Sequence, residues 1–195
     1  MSPTVPLRSL TEPAYVLLGA MLPDDGTGVV DVVVAPGTVD RYPVTSRAIF
    51  GYLSIPRSRS EALAELARWD AEPDDLDRLA EDGILVRFPG GDEEGVRAAV
   101  ETLALGVTAE ARPAPDGRSV LLRLPDHQAV VMGPTTVAVV NTSTARSLGD
   151  GVAAVATESG IPADVVWRRL LVDLSDILGS GAGHLTRTGS VARAS

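Results

Sequence analysis

Apolar residues in this chain fall into short β-branched runs and into longer stretches spaced three or four apart. The runs at 15–21, 29–35 and 38–42 are rich in valine and bounded by Pro-Asp and Gly-Thr pairs, which reads as three strands joined by turns. A helical pattern follows. Thr45 or Ser46 opens a short helix to Leu53, and Ser58 with Glu61 has the form of a capping box. Behind it Leu63, Leu66 and Trp69 share one face, so Trp69 is expected in the core. Pro73 suits the first turn of a third helix, with Leu76 and Leu79 apolar and Gly83 as its stop. Residues 84–88 read as a closing strand.

The pattern then recurs. Residues 95–105, with Val96, Val100 and Leu103 on one side, predict a linking helix. Strands are expected at 120–124, 129–132 and 136–140. Helices then start at Ser143 or Thr144 and at Asp150. Pro162 opens the longest one, whose stripe of Trp167, Leu170, Leu171, Leu174, Ile177 and Leu178 ends at Gly179.

Local likeness strengthens the impression of a repeat. Val32-Val33-Val34-Ala35-Pro36-Gly37-Thr38-Val39 resembles Val130-Val131-Met132-Gly133-Pro134-Thr135-Thr136-Val137, and Thr38 and Thr136 lie 98 residues apart. The same offset joins Thr45-Ser46 to Ser143-Thr144, Phe50 to Leu148, Gly51 to Gly149 and Gly83 to Gly181. The fold expected is α+β, with two tandem winged-helix-like units, each a short antiparallel sheet followed by three helices. The first unit spans 1–88, a linker with a helix spans 89–110, the second unit spans 111–188, and a small polar tail at 189–195 is expected to be disordered. Having its own apolar set, the fragment to about residue 90 is expected to fold alone.

Composition narrows the chemistry. The 195 residues include no cysteine and no lysine, which removes thiolate zinc sites, disulfides, Schiff-base chemistry and a P-loop lysine. All 17 basic residues are arginine against 26 acidic ones, and the net charge of −9 opposes a nucleic-acid partner. Residues 1–13 lack a basic-then-apolar signal, and no apolar run reaches the length of a membrane span, so a cytoplasmic location is expected.

The remaining candidates have structural explanations. Carboxylates at Glu72, Asp74, Asp75 and Asp77, and at Asp92, Glu93 and Glu94, sit at predicted helix starts, where the macrodipole favours them. His127 and His184 have no second ligand at metal spacing. Gly179 to Gly183 follows a helix C-terminus, whereas phosphate loops lead into an N-terminus. Arg169 can pair with Asp173 one turn on. No catalytic residues, metal or cofactor are expected.

Within the first half, "LDRLAEDGILV" (76–86) resembles the last-helix signature of the PqqD-like RiPP recognition elements, and "AVVMGPTTVAVVNTSTARSLGDGVAAVA" (129–156) is similar to their strand-into-helix portion. The resemblance implies a non-enzymatic module that takes a leader peptide as an added strand beside its third strand, in a groove against its third helix. Carried onto this chain, it implies peptide-binding residues Val39, Arg41, Leu76 and Arg78 in the first half and Val137, Val139, Trp167 and Leu171 in the second. The function expected is an adaptor for a peptide or protein partner, with a homodimer compatible. The alternative is a winged-helix transcriptional regulator on DNA.

Overall fold

The computed structural model describes residues 11–188 except 70, 71, 73, 92, 127, 144 and 145. The positions of Pro73, Asp92, His127, Thr144 and the 189–195 tail discussed above lie outside the described residues. Among those described, the protein is mixed α+β, with seven α-helices and several small antiparallel sheets.

The first half begins with β1 (Ala14–Leu17), an apolar run buried on both faces. Gly19 follows at φ 108°, where a Cβ would come within 2.5 Å of the Val33 carbonyl oxygen, so only glycine lets the chain cross here. β2 (Ala20–Met21), β3 (Val29–Ala35) and β4 (Thr38–Pro43) form an antiparallel meander, whose Val30, Val32 and Val34 point into a core. Three helices follow, α1 (Ser46–Tyr52), α2 (Arg59–Leu66) and α3 (Asp75–Glu81), with the two-residue strand β5 (Arg57–Ser58) before α2. The expected capping box is present: Ser58 Oγ accepts from the Glu61 N–H, and the Glu61 carboxylate accepts from the Ser58 N–H. β6 (Leu85–Phe88) closes the half by pairing antiparallel with β1. Trp69, expected in the core, is 50% exposed, because α2 gives way to a single 3-10 turn at Ala67–Trp69 and the face rotates outward.

The second half has the same element order, except that it has no counterpart of β5 among the described residues. After α4 (Glu93–Val100) come β7 (Leu103–Val107), a meander of β8 (Glu110–Pro113), β9 (Val120–Arg123) and β10 (Ala129–Met132), then α5 (Pro134–Ser143), α6 (Leu148–Ser159) and α7 (Ala163–Gly179). β11 (Gly183–Arg187) closes on β7 as β6 closes on β1. Ala14 and Leu103, Ser46 and Pro134, Arg59 and Leu148, and Asp75 and Ala163 each open equivalent elements, and each pair lies 88 or 89 residues apart.

The offset of 98 therefore misaligns most of the repeat: it sets the β3–β4 hairpin against β10 running into a helix. It holds only at the end, because α7 is longer than α3. Gly83 and Gly181 are equivalent, with φ of 70° and 73°. Each cap has the same bonds, Gly83 N–H to Ala80 C=O with Ile84 N–H to Leu79 C=O, and Gly181 N–H to Leu178 C=O with Ala182 N–H to Ile177 C=O.

Two further expectations are corrected. The predicted strand at 136–140 is helical within α5. Thr136 and Val139 are both fully buried, three residues apart, which is helical spacing, and packing on α6 and α7 overrides the β preference of Thr and Val. The linking helix stops at Val100, and Leu103 starts a strand.

β1 and β6 stand between two cores. Tyr15, Leu17 and Leu85 face the core built by β3 and α1–α3, whereas Ala14, Val16, Leu18, Val86 and Phe88 face the core built by α4 and the second half. A parallel bridge from Leu18 to Leu185 continues the connection.

Candidate functional site

A free sheet edge carries unpaired main-chain donors and acceptors, and proteins cover it, charge it or use it. Both meanders end in such an edge, β4 in the first half and β10 in the second. The two are built differently.

Along β4, the bond from Val44 N–H to Gly28 C=O sets the phase of the ladder. Val30–Tyr42 and Val32–Asp40 are then the bonded pairs, and the main-chain groups of Val39, Arg41 and Pro43 point away from β3. Pro43 has no N–H to offer, and Asp40 and Arg41 bring charge to the edge. Arg41 Nε donates to Asp31 Oδ1 at 3.2 Å. These are the usual devices that keep a strand from being extended.

Along β10, Leu124 N–H donates to Gln128 C=O, so Leu122–Val130 and Val120–Met132 are the bonded pairs. The N–H and C=O of Ala129 and Val131 face outward. The strand is Ala-Val-Val-Met, without charge or proline. Val130 and Met132 turn inward against the core, whereas Val131 is 53% exposed. Below the edge lies the last part of α7. Together they make an open cleft of about 360 Å³, lined by Ala129, Val130, Val131, Asp176 and Ser180.

The end of the edge is set by Asp173. Its Oδ2 accepts the Gly133 N–H at 2.7 Å, so the next outward donor is already taken. Arg169 does not pair with Asp173 as expected; it donates to Thr135 Oγ1 at 3.3 Å. The acid is thus committed to the strand terminus. No ion pair to Asp176 is found among the described residues.

The structure separates most of the site residues drawn from the sequence. Val39 and Arg41 are on the β4 edge, and Arg78 is exposed on α3, paired with Asp75 at 3.1 Å. Leu76 is fully buried in the first core and cannot line an outward groove. Val137 and Val139 lie on a helix instead of an edge strand, and Val139, Trp167 and Leu171 are core residues. The second-half groove moves back to the true third strand, at Ala129 and Val131, and along α7 to Asp176 and Ser180. An uncharged run after a Gln and before Gly-Pro was the signal available in the sequence.

Two other places carry polar groups. Tyr15 Oη donates to Asp77 Oδ1 at 2.6 Å, and Arg59 reaches Asp77 Oδ2 at 3.4 Å, which ties α3 to β1 and α2. The Tyr15 hydroxyl titrates above its usual range, first because it is buried and then because of Asp77. Asp77 is held low, chiefly by the Tyr15 hydrogen bond. A wider cleft of about 510 Å³ lies between α4 and α7, where the Arg97 guanidinium stacks 5.1 Å from the centre of the Trp167 ring. Glu93, Glu94, Glu101 and Asp164 rim it, and its described lining holds no histidine, serine or threonine. No group of three or more His, Asp or Glu fit to hold a metal occurs among the described residues, nor any helix long and apolar enough to cross a membrane.

No protein-family model matches this chain, no curated protein matches it significantly, and no solved structure does so either.

Proposed function

We propose that the protein is a non-catalytic adaptor whose halves are tandem winged-helix-like units, and that it binds an extended segment of a peptide or protein by adding it as a strand to β10. A precursor leader peptide in peptide natural-product maturation is the kind of segment that fits. The observation that carries this reading is the β10 edge itself, uncharged, unprotected and set over a cleft against α7, while the equivalent β4 edge carries Asp40, Arg41 and Pro43. In strand addition, main-chain bonds supply affinity and alternate side chains supply selectivity. DNA binding is disfavoured by α3, which offers one arginine, already paired, among Asp75, Asp77 and Glu81.

The test is selection of linear peptides from a random displayed library, followed by amide NMR mapping and comparison with Val131→Pro. That residue's N–H points away from β9, so proline should leave the ladder intact. Perturbation at 129–132 and at least about tenfold weaker binding to Val131→Pro are expected. Unchanged affinity in the variant, or mapping to another surface, removes the proposal.

A further inference from the structure

Resting on strand addition at β10, the geometry points to the chemical class of the partner: a segment carrying a lysine or arginine at the position that turns toward α7. Side chains of an added strand alternate between two faces. On the inner face, beside Val130, they meet the floor of the cleft, where Asp176 is exposed with no cation within salt-bridge distance among the described residues. The same floor is the C-terminal end of α7, a 17-residue helix whose macrodipole presents its negative pole there. Asp173, one turn back, adds a second carboxylate at the strand terminus. No described arginine is recorded within 4.0 Å of either carboxylate.

The outer face is different. There the neighbours are Ala129, Val131 and Leu121, with Arg123 directly opposite Ala129 across the ladder. Glu110 stands opposite Arg123 in turn and pairs with Arg112 at 2.7 Å, so that side offers a basic residue no free carboxylate, and beside Val131 and Leu121 an apolar one is accommodated. The recognised pattern is therefore apolar–basic–apolar, spanning about the four main-chain groups of Ala129 and Val131 before Asp173 ends the edge. The net charge of −9 adds long-range attraction for a basic segment.

Three fluorescein-labelled octapeptides discriminate, each alternating valine with threonine and bearing at its centre lysine, norleucine or glutamate. Anisotropy titrations at low salt should place the lysine peptide about tenfold tighter than the glutamate one, a difference of about 1.4 kcal/mol. Asp176→Asn should cut that preference to about threefold or less, Asp173 and the helix end remaining, and leave the norleucine peptide unchanged. Amide shifts at 129–132 and weakening by Val131→Pro accompany all three. If the three bind there with equal affinity, or if the preference is undiminished in Asp176→Asn, the charge rule is wrong and strand addition stands. If none binds, or binding ignores Val131→Pro, both fall.

Discussion

His184 shows what one residue's surroundings dictate. It sits on β11 directly opposite Gly106, and its ring lies where a Cβ of residue 106 would stand. Nδ1 is buried without a hydrogen-bond partner among the described residues, and burial pushes the imidazole below its ordinary value of 6.5. The folded ring therefore stays neutral where the unfolded chain takes up a proton. The unfolded state binds more protons below the unfolded pKa, so stability falls as pH drops through about 6.5 toward the lower folded value. Melting temperatures measured from about pH 7.5 to about pH 5.5 should fall more steeply for the wild type than for His184→Gln. Parallel curves would show that the ring titrates normally. Nothing in the sequence marked this site, because what isolates the ring is pairing between β7 and β11, neither of which was anticipated. Asp77 was legible only as a helix-start acid; its bond to Tyr15 joins residues 62 positions apart.

Among elements, local chemistry was read well and local periodicity less well. The capping box of α2 and the apolar stripe of α7 were visible because each is a property of consecutive residues. The start of α6 was missed by a few positions. Ser147 caps it, accepting from the Asp150 N–H while Asp150 accepts from the Ser147 N–H. Ser147→Ala should cost about 1 kcal/mol, seen as a lower urea midpoint with unchanged slope. A midpoint equal to wild type would mean that packing of Leu148 and Val152 alone fixes the helix start. α5 was read as a strand because Thr and Val prefer sheets; only its neighbours α6 and α7 reveal which period applies. That error displaced the second groove by eight residues, from Val137 and Val139 back to Ala129 and Val131.

For the whole molecule, the order of elements repeats more faithfully than the sequence does. Closing strands β6 and β11 lie 98 residues apart and the helices 88 or 89, so no single offset describes the halves. The boundary at residue 88 follows the chain, but the cores do not respect it. Cutting after Gly91 would uncover Val16, Leu18, Val86 and Phe88, all now buried in the second core. At about 1.5–3 kcal/mol each, their burial is comparable with the whole stability of a small domain. Contrary to the expectation that it folds alone, the 1–91 fragment should bind a hydrophobic dye and give poorly dispersed amide spectra. Sharp dispersed spectra would show that the β1–β6 wall stands unaided.

That wall also governs how the protein emerges during synthesis. One side of β1 and β6 can be covered as soon as the first half leaves the ribosome. The other is partly covered by α4 soon afterwards and fully only with β11, whose last residue lies 99 positions after Phe88. At about 5–20 residues per second, this is an interval of roughly 5–20 s. Throughout it the nascent chain displays an incompletely covered apolar β-surface to its surroundings, a natural point of engagement for chaperones.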